Sequence, residues 1–281
     1  MLGRELSSAL RRSGLPFLAT GREVSIVDEA ALSSFAENKA IRWIVNCAAY
    51  TAVDQAEEEI DRCAALNRDG PANLARLAQR IGASLLHLST DHVFDGALTR
   101  PYTEDDAVRP VNVYGRTKAE GEEAALAACE RTVIVRTAWL YGGDGPHFVT
   151  AMLSLMRERP SVGVVADQRG TPTWTRDLAA AILTILRQEE PQYGIYHFTD
   201  SGETTRHGFA TEIKRLGLAY GLLAHDCEVR KLTTAQYPAN AKRPAYSVLS
   251  KEKIMAVYGV QVPDWKISLE RYILKDLTQR H

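Results

Sequence analysis

The chain of 281 residues has an ordinary globular composition, with 45% hydrophobic residues, 25% charged residues and a net charge of −1. This balance, without a block of basic residues, does not indicate a nucleic-acid partner, and no apolar run is long enough for a membrane-spanning helix. No signal peptide is visible, and the four cysteines lack metal-ligand spacing, so a cytoplasmic protein with reduced thiols and one large or two small domains is expected.

The amino-terminal segment begins with a helical pattern that ends near Gly14, and Leu15 to Ala19 then predict a strand. Asp28 is a candidate N-cap for a helix beginning at Glu29. Arg22 follows the predicted strand, where a basic side chain can pair with the 2′-phosphate of NADP, although a solvated surface arginine explains it nearly as well.

A further strand is predicted from Ile41 to Cys47, and small residues follow it. Ala48 and Ala49 would allow a flat cofactor to approach the backbone. Val53 and Asp54 come next and could face a substrate. Asp54 is equally a plausible cap for a helix that starts at the following residue.

An apolar run from Ile81 to Leu88 predicts a buried strand that ends in hydroxyl groups, among them Thr90. Tyr114 and Lys118 lie four residues apart in a helical pattern and therefore share one helix face. A nearby ammonium should lower the pKa of a tyrosine from its usual value of about 10, which would suit proton transfer to a carbonyl oxygen. Thr90 could hydrogen-bond the same oxygen. Because a tyrosine and a lysine often have this spacing by chance, a core tyrosine and a solvated lysine are the alternative.

The rest of the chain predicts alternating strands and helices. Trp139 follows one strand and could stack on a sugar or line a nicotinamide pocket, with a core tryptophan as the alternative. Arg243 could pair with a diphosphate or form an interdomain salt bridge. The predicted elements are a strand Thr132 to Arg136, a helix Phe148 to Arg157, a strand Val162 to Ala166, a helix capped by Thr175 and ending near Leu186, a strand Gly194 to Phe198, and a helix capped by Thr204 and ending near Leu216.

Five segments together resemble the extended short-chain dehydrogenases, specifically the dTDP-4-dehydrorhamnose reductases. They are Ser89 to Phe94, Pro110 to Lys118, Arg136 to Gly142, Asp167 to Thr173, and Arg243 to Leu249. The resemblance implies an α/β fold with a Rossmann-type doubly wound parallel sheet and a smaller mixed α/β substrate domain. It implies an NADP-binding domain in residues 1–145 and a mostly substrate-binding region in 146–281, with some segments returning to the first domain. The implied reaction is NADPH-dependent reduction of the 4-keto group of dTDP-4-dehydro-L-rhamnose, with NADH as a possible substitute.

The resemblance also implies roles for individual residues. Gly3 would be the last glycine of the family's G-x-x-G-x-x-G motif, so we expect the preceding strand and glycines upstream of residue 1 and a weakened pyrophosphate site. Tyr114 would be the general acid, Thr90 would polarise the carbonyl, and Lys118 would hold the nicotinamide ribose. The other implied cofactor contacts are Arg22, Ala48, Ala49 and Tyr50, and the implied substrate contacts are Val53, His92, Trp139 and Arg243.

Two other functions remain open. The chain could reduce a different nucleotide-linked keto-deoxysugar, or it could act as a non-catalytic regulatory subunit of methionine adenosyltransferase, as a similar protein does. Some family members hold a metal between subunits through acidic residues, but Arg176 stands at one of those positions here. We therefore expect no metal, and a monomer or weak dimer.

Overall fold

The computed structural model describes residues 1–143 and 145–278. Its strands are β1 (Trp43–Asn46), β2 (Ser84–Thr90), β3 (Thr132–Thr137), β4 (Leu140–Tyr141), β5 (Ser161–Val165), β6 (Arg169–Gly170), β7 (Thr173–Trp174), β8 (Gly194–His197), β9 (Thr204–Thr205) and β10 (Glu228–Leu232). Its α-helices are α1 (Leu2–Arg12), α2 (Glu29–Ala36), α3 (Ile60–Ala64), α4 (Gly70–Ile81), α5 (Val113–Ala128), α6 (Phe148–Glu158), α7 (Thr175–Leu186), α8 (Arg206–Ala219), α9 (Glu252–Tyr258) and α10 (Trp265–Tyr272). Short 3₁₀ turns cover Gln55–Glu57, Asp91–Val93 and Thr234–Gln236, and π-helical turns cover Ala65–Asp69 and Ile273–Leu277.

The central sheet is parallel, with the strand order β1-β2-β3-β8. Neighbouring side chains of β2 point to opposite faces, as in any strand. Leu86 packs with α1 and α7 on one face, whereas Leu85 packs with α2 and α4 on the other. Helices therefore cover both faces of a buried parallel sheet, which confirms the predicted Rossmann-type fold class.

A second hydrophobic cluster lies around α6, α8 and α10 and is rich in aromatic side chains. The parallel pair β5–β10 borders it. Ile254 and Tyr258 of α9 instead pack in the cluster that contains β3 and β8. The proposed division of the chain at residue 145 stays a prediction.

Several local predictions were wrong. Leu15 to Ala19 form no strand, and Leu18 is 62% exposed; the run contains Pro16, which lacks a backbone N–H, and no described strand lies beside it. Trp174, not Thr175, is the N-cap residue of α7. Thr205, not Thr204, caps α8 by accepting a hydrogen bond from the Gly208 backbone.

The predicted cap of α2 is confirmed, because the Asp28 carboxylate accepts hydrogen bonds from the backbone N–H groups of Ala30 and Ala31, both at 3.0 Å. Asp54 makes no such bond at the start of the Gln55–Glu57 turn. Within the described parts of the chain, no helix has the length and apolarity to cross a membrane.

Candidate active site

Helix α5 begins directly beneath the carboxyl end of β2. Its N-cap, Asn112, accepts a hydrogen bond from the Gly115 backbone N–H through Oδ1 at 2.7 Å. A Cβ at Gly115 would lie 2.1 Å from the carbonyl oxygen of His92, so only glycine allows this approach. The first turn of α5 is thereby pressed against the segment that carries Thr90.

Tyr114 and Thr90 meet at this junction, where the Thr90 hydroxyl interacts with the phenol and opposes the rise in its pKa. Thr90 Oγ1 also accepts a hydrogen bond from the His92 backbone N–H at 3.1 Å and donates one to Asp91 Oδ1 at 3.1 Å. The His92 ring lies edge-on to Tyr114, with 5.4 Å between ring centroids. Thr90 and Tyr114 therefore lie side by side, and their action on one substrate oxygen stays a prediction.

The prediction that the pKa of Tyr114 is lowered was wrong. Burial, helped by Asp91 and Cys63, raises the pKa of Tyr114 to about 12, and only the Thr90 hydroxyl acts against this rise. Tyr114 therefore keeps its proton at neutral pH.

Lys118 shares a helix face with Tyr114, but its long side chain turns toward β2. Its Nζ donates to the Leu88 carbonyl oxygen at 2.6 Å and lies 3.2 Å from His87 Nε2. Burial lowers the pKa of Lys118 to about 8. The amine is thus held close to the strand that carries Thr90, at the carboxyl end of the sheet.

The loop after β1 lies beside the start of α1. A Cβ at Gly3 would be 3.6 Å from Cβ of Cys47, which places this glycine next to the exposed Ala48. The following loop is clamped by Asn67, whose side chain accepts from the Tyr50 backbone N–H at 2.9 Å and donates to the Tyr50 carbonyl oxygen at 3.1 Å. Asn67 therefore has a structural role here, and the clamp fixes the loop that contains the predicted nucleotide contacts.

Arg22 is separate from this group. Its side chain is exposed and makes no hydrogen bond or ion pair within residues 1–143 and 145–278. Its predicted contact with a 2′-phosphate stays a prediction.

Two buried hydroxyls at the carboxyl ends of the strands have no hydrogen-bond partner within the described chain. They are Ser89 Oγ on β2 and Thr137 Oγ1 on β3, and Thr137 is in register with Thr90. Buried polar groups are nearly always satisfied in folded proteins. The free hydroxyls therefore fit a polar ligand at this edge, which is where open α/β sheets bind nucleotides.

Trp139 lies where the sheet region meets the aromatic cluster. Its backbone has a positive φ of 47°, unusual for a bulky residue, and a Cβ at Gly170 would be 2.6 Å from its ring. The guanidinium of Arg206 lies over the indole ring, 3.7 Å from the ring centroid. Trp139 is thus held in one position beside a cation, although its contact with a substrate stays a prediction.

Arg243 forms a salt bridge with Asp54, with 2.6 Å between Nη2 and Oδ2. Asp54 also accepts a hydrogen bond from the Ala241 backbone N–H at 3.1 Å. Asp54 thus joins the carboxyl-terminal loop to the loop after β1, where Val53 is half-buried beside it. The salt bridge proposed as the alternative for Arg243 is formed, and a contact with diphosphate would have to displace it.

Comparison with known proteins agrees with this geometry. The sequence profile described as "RmlD substrate binding domain" matches residues 1–278. The chain is 43% identical to a dTDP-4-dehydrorhamnose reductase from Streptomyces griseus, over 96% of this chain and 88% of that protein. It is 38% identical to a probable dTDP-4,6-dihydroxy-2-methyloxan-3-one 4-ketoreductase from Streptomyces antibioticus, over 100% of this chain and 94% of that one.

Solved structures give the same result. A dTDP-4-dehydrorhamnose reductase from Clostridium acetobutylicum superposes with a TM-score of 0.91 at 41% identity, covering 99% of this chain and 96% of that one. The enzyme of that name from Bacillus anthracis, solved in complex with NADP, gives 0.90 at 33% identity, covering 98% and 95%. The chain belongs to the dTDP-4-dehydrorhamnose reductase family. The family resemblance predicted from the five sequence segments is confirmed.

In this family member, Arg176 lies between two acidic side chains. It pairs with Glu5 at 3.3 Å and with Asp276 at 3.0 Å. Among the residues that the structure describes, no group of three or more histidine, cysteine or acidic side chains could hold a metal ion. Arg176 thus links the two carboxylates by ion pairs.

Sequence reasoning missed three side chains of this reductase-family site. His87 on β2 contacts Lys118, Asn46 on β1 contacts His87, and Arg206 stacks on Trp139. A histidine inside the apolar run of β2 was a usable signal, because a buried imidazole needs polar partners. Arg206 gave no comparable signal, since arginine near a helix start is usually solvated.

Proposed function

We propose that the protein reduces the 4-keto group of dTDP-4-dehydro-L-rhamnose with NADPH, giving dTDP-L-rhamnose. Family membership over residues 1–278 and the names of the similar reductases support this reaction. The observation that carries it is the adjacency of the Tyr114 and Thr90 hydroxyls at the carboxyl end of β2, where a carbonyl oxygen could receive a proton.

The protein's part in this reaction is to orient the substrate and supply a proton, while the nicotinamide supplies the hydride. Tyr114, whose pKa of about 12 keeps it protonated, donates its proton to the carbonyl oxygen as the carbonyl carbon gains hydride. Thr90 donates a hydrogen bond to the same oxygen by turning its hydroxyl proton away from Asp91, to which it donates in the structure. Lys118, about one helical turn away on the same helix face, holds the nicotinamide ribose and opposes the negative charge that remains on Tyr114.

The residues around the site fit such a cofactor and substrate. The free hydroxyls of Ser89 and Thr137 offer hydrogen bonds at the sheet edge. The proposed cofactor contacts are Gly3, Arg22, Ala48, Ala49, Tyr50, Tyr114 and Lys118. The proposed substrate contacts are Val53, His92, Trp139 and Arg243. We propose NADPH as the natural cofactor, which the NADP complex of the similar Bacillus anthracis enzyme supports.

The decisive test is Tyr114→Phe, assayed as NADPH oxidation in the presence of dTDP-4-dehydro-L-rhamnose. Loss of a general acid should reduce turnover by about 10²- to 10⁴-fold, with unchanged melting temperature. Tyr237→Phe is the matched control, because Tyr237 is 53% exposed and outside the site. Near-normal turnover of Tyr114→Phe would show that Tyr114 is not the general acid.

A second candidate is reduction of another dTDP-linked keto-deoxysugar, which the similarity to the Streptomyces antibioticus ketoreductase favours. Comparing kcat/KM for several keto-deoxysugar nucleotides separates the two, since the natural substrate should be preferred. Copurification with methionine adenosyltransferase, without turnover of any keto-sugar, would instead support a non-catalytic role.

We further propose a cytoplasmic enzyme that is a monomer or weak dimer. Four free cysteines, three of them buried, are compatible with a reducing compartment. The ion pairs of Arg176 with Glu5 and Asp276 occupy carboxylates that could otherwise serve a shared metal. Sedimentation of the purified chain with and without a chelator tests the oligomeric state.

A further inference from the structure

Beneath the loop after β1, the buried side chains of Asn46, His87 and Lys118 form one hydrogen-bonded chain. Asn46 Oδ1 accepts from the Ala48 backbone N–H at 3.0 Å, and Asn46 Nδ2 lies 2.9 Å from His87 Nδ1. His87 Nε2 lies 3.2 Å from Lys118 Nζ, which donates to the Leu88 carbonyl oxygen at 2.6 Å. His87 is fully buried, so water does not complete its hydrogen bonds.

The position of each proton follows from what each group can donate. The backbone N–H of Ala48 is only a donor, so it fixes Asn46 with Oδ1 toward it and the NH₂ group toward His87. That NH₂ donates to Nδ1, and the single proton of a neutral imidazole must therefore lie on Nε2. This proton points at Nζ of Lys118, which can accept it only as a neutral amine.

A charged Lys118 requires a different arrangement, because an ammonium group has no acceptor. His87 must then accept through Nε2 and carry its proton on Nδ1. Asn46 must rotate its amide by half a turn to present Oδ1 to that proton. The Ala48 N–H now faces an NH₂ group and has lost its acceptor within the chain.

We propose that Asn46, His87 and Lys118 form a tautomeric switch that couples the charge of Lys118 to the availability of the Ala48 N–H for a ligand. This inference rests on the proposed function, which places Lys118 and Ala48 beside the cofactor. An acceptor oxygen of the bound cofactor would satisfy the freed N–H and thereby favour the charged lysine. By linkage, a charged Lys118 favours binding at Ala48 to the same extent. His87 is a positioning residue, since it acts through Lys118.

The charged surroundings place the switch in an accessible pH range. Burial lowers the pKa of Lys118 to about 8, while Glu122 on its own helix and Cys63 from α3 act in the opposite direction. His87 lies on β2, where burial lowers its pKa well below the usual value and Lys118 acts in the same direction. His87 therefore changes tautomer near neutral pH rather than gaining a second proton.

The test is long-range nitrogen–proton NMR of the full ligand-free chain with ¹⁵N-labelled histidine, on both sides of pH 8. His87 should carry its proton on Nε2 above the titration of Lys118 and on Nδ1 below it, and the Ala48 amide signal should follow. His92 is an internal control. Its Nδ1 lies 3.0 Å from Nδ2 of Asn112, whose Oδ1 is fixed by the Gly115 N–H. His92 should therefore keep its proton on Nε2 throughout.

Spectra of His87→Gln and His92→Gln assign the two imidazole signals. The same tautomer of His87 on both sides of the Lys118 titration overturns the proposal. A tautomer change that persists in Lys118→Met also overturns it, since this variant should show only the Nε2 proton at every pH. The experiment contains neither cofactor nor substrate. Its failure therefore leaves the turnover test of Tyr114→Phe intact, and the reverse also holds.

Discussion

The buried ion pair between Glu122 and Arg136 ties α5 to β3, and Glu122→Gln should destabilise the fold strongly. Three nitrogen–oxygen distances of 2.6, 2.9 and 3.1 Å join the two side chains, whose exposed fractions are 3% and 2%. Removing one charge leaves a buried, uncompensated guanidinium, which costs about 3–5 kcal/mol. For 281 residues, an unfolding entropy of about 2.1 cal/mol/K per residue converts this into a fall in Tm of about 5–8 °C.

Calorimetry of the wild type and the variant at pH 7 measures this difference. Glu212→Gln is the matched control, because its pair with Arg215 at 2.7 Å lies on the surface, where Arg215 is 59% exposed. Such a pair contributes at most about 1 kcal/mol, so the control should lose less than about 2 °C. Equal and small losses in both variants would refute the view that burial makes the Glu122–Arg136 pair essential.

Three further predictions concern other parts of the molecule. Gly121→Ala places a Cβ 1.9 Å from the Asn67 carbonyl oxygen and should cost about 1–3 kcal/mol, measured by urea unfolding. Burial raises the pKa of Asp200 well above its usual value, so the folded state binds this proton more tightly than the unfolded state. The bound proton contributes its full stabilisation below the ordinary pKa of 3.8, and this stabilisation is lost as pH rises through the folded-state pKa. The urea midpoint of Asp200→Asn should therefore depend less on pH than the midpoint of the wild type. Arg243→Met should weaken dTDP binding about tenfold or more but leave thymidine binding unchanged. Asp54→Asn frees Arg243 from its salt bridge and should strengthen dTDP binding. Calorimetric titration measures both effects.

Local rules predicted the elements on which the site depends, but not every side-chain direction. The spacing of Tyr114 and Lys118 correctly placed both on one face of α5, because helix geometry alone decides this. The pKa of Tyr114 rises instead of falling, because tertiary packing buries the phenol and turns Lys118 toward His87. Local sequence does not determine this packing. Leu15 to Ala19 show the same limit, since a strand requires a partner that local sequence does not provide.

The packing of α1 against α7 has a consequence for synthesis on the ribosome. Glu5 and Arg176, which join the two helices, are 171 residues apart in sequence. At elongation rates of about 5–20 residues per second, α1 waits roughly 9–34 s before α7 is made. Its apolar face, with Leu2, Leu6 and Ala9, has to remain uncovered or bound elsewhere during that time. An uncovered apolar face favours aggregation of a nascent chain, so chaperone binding would be useful during this interval.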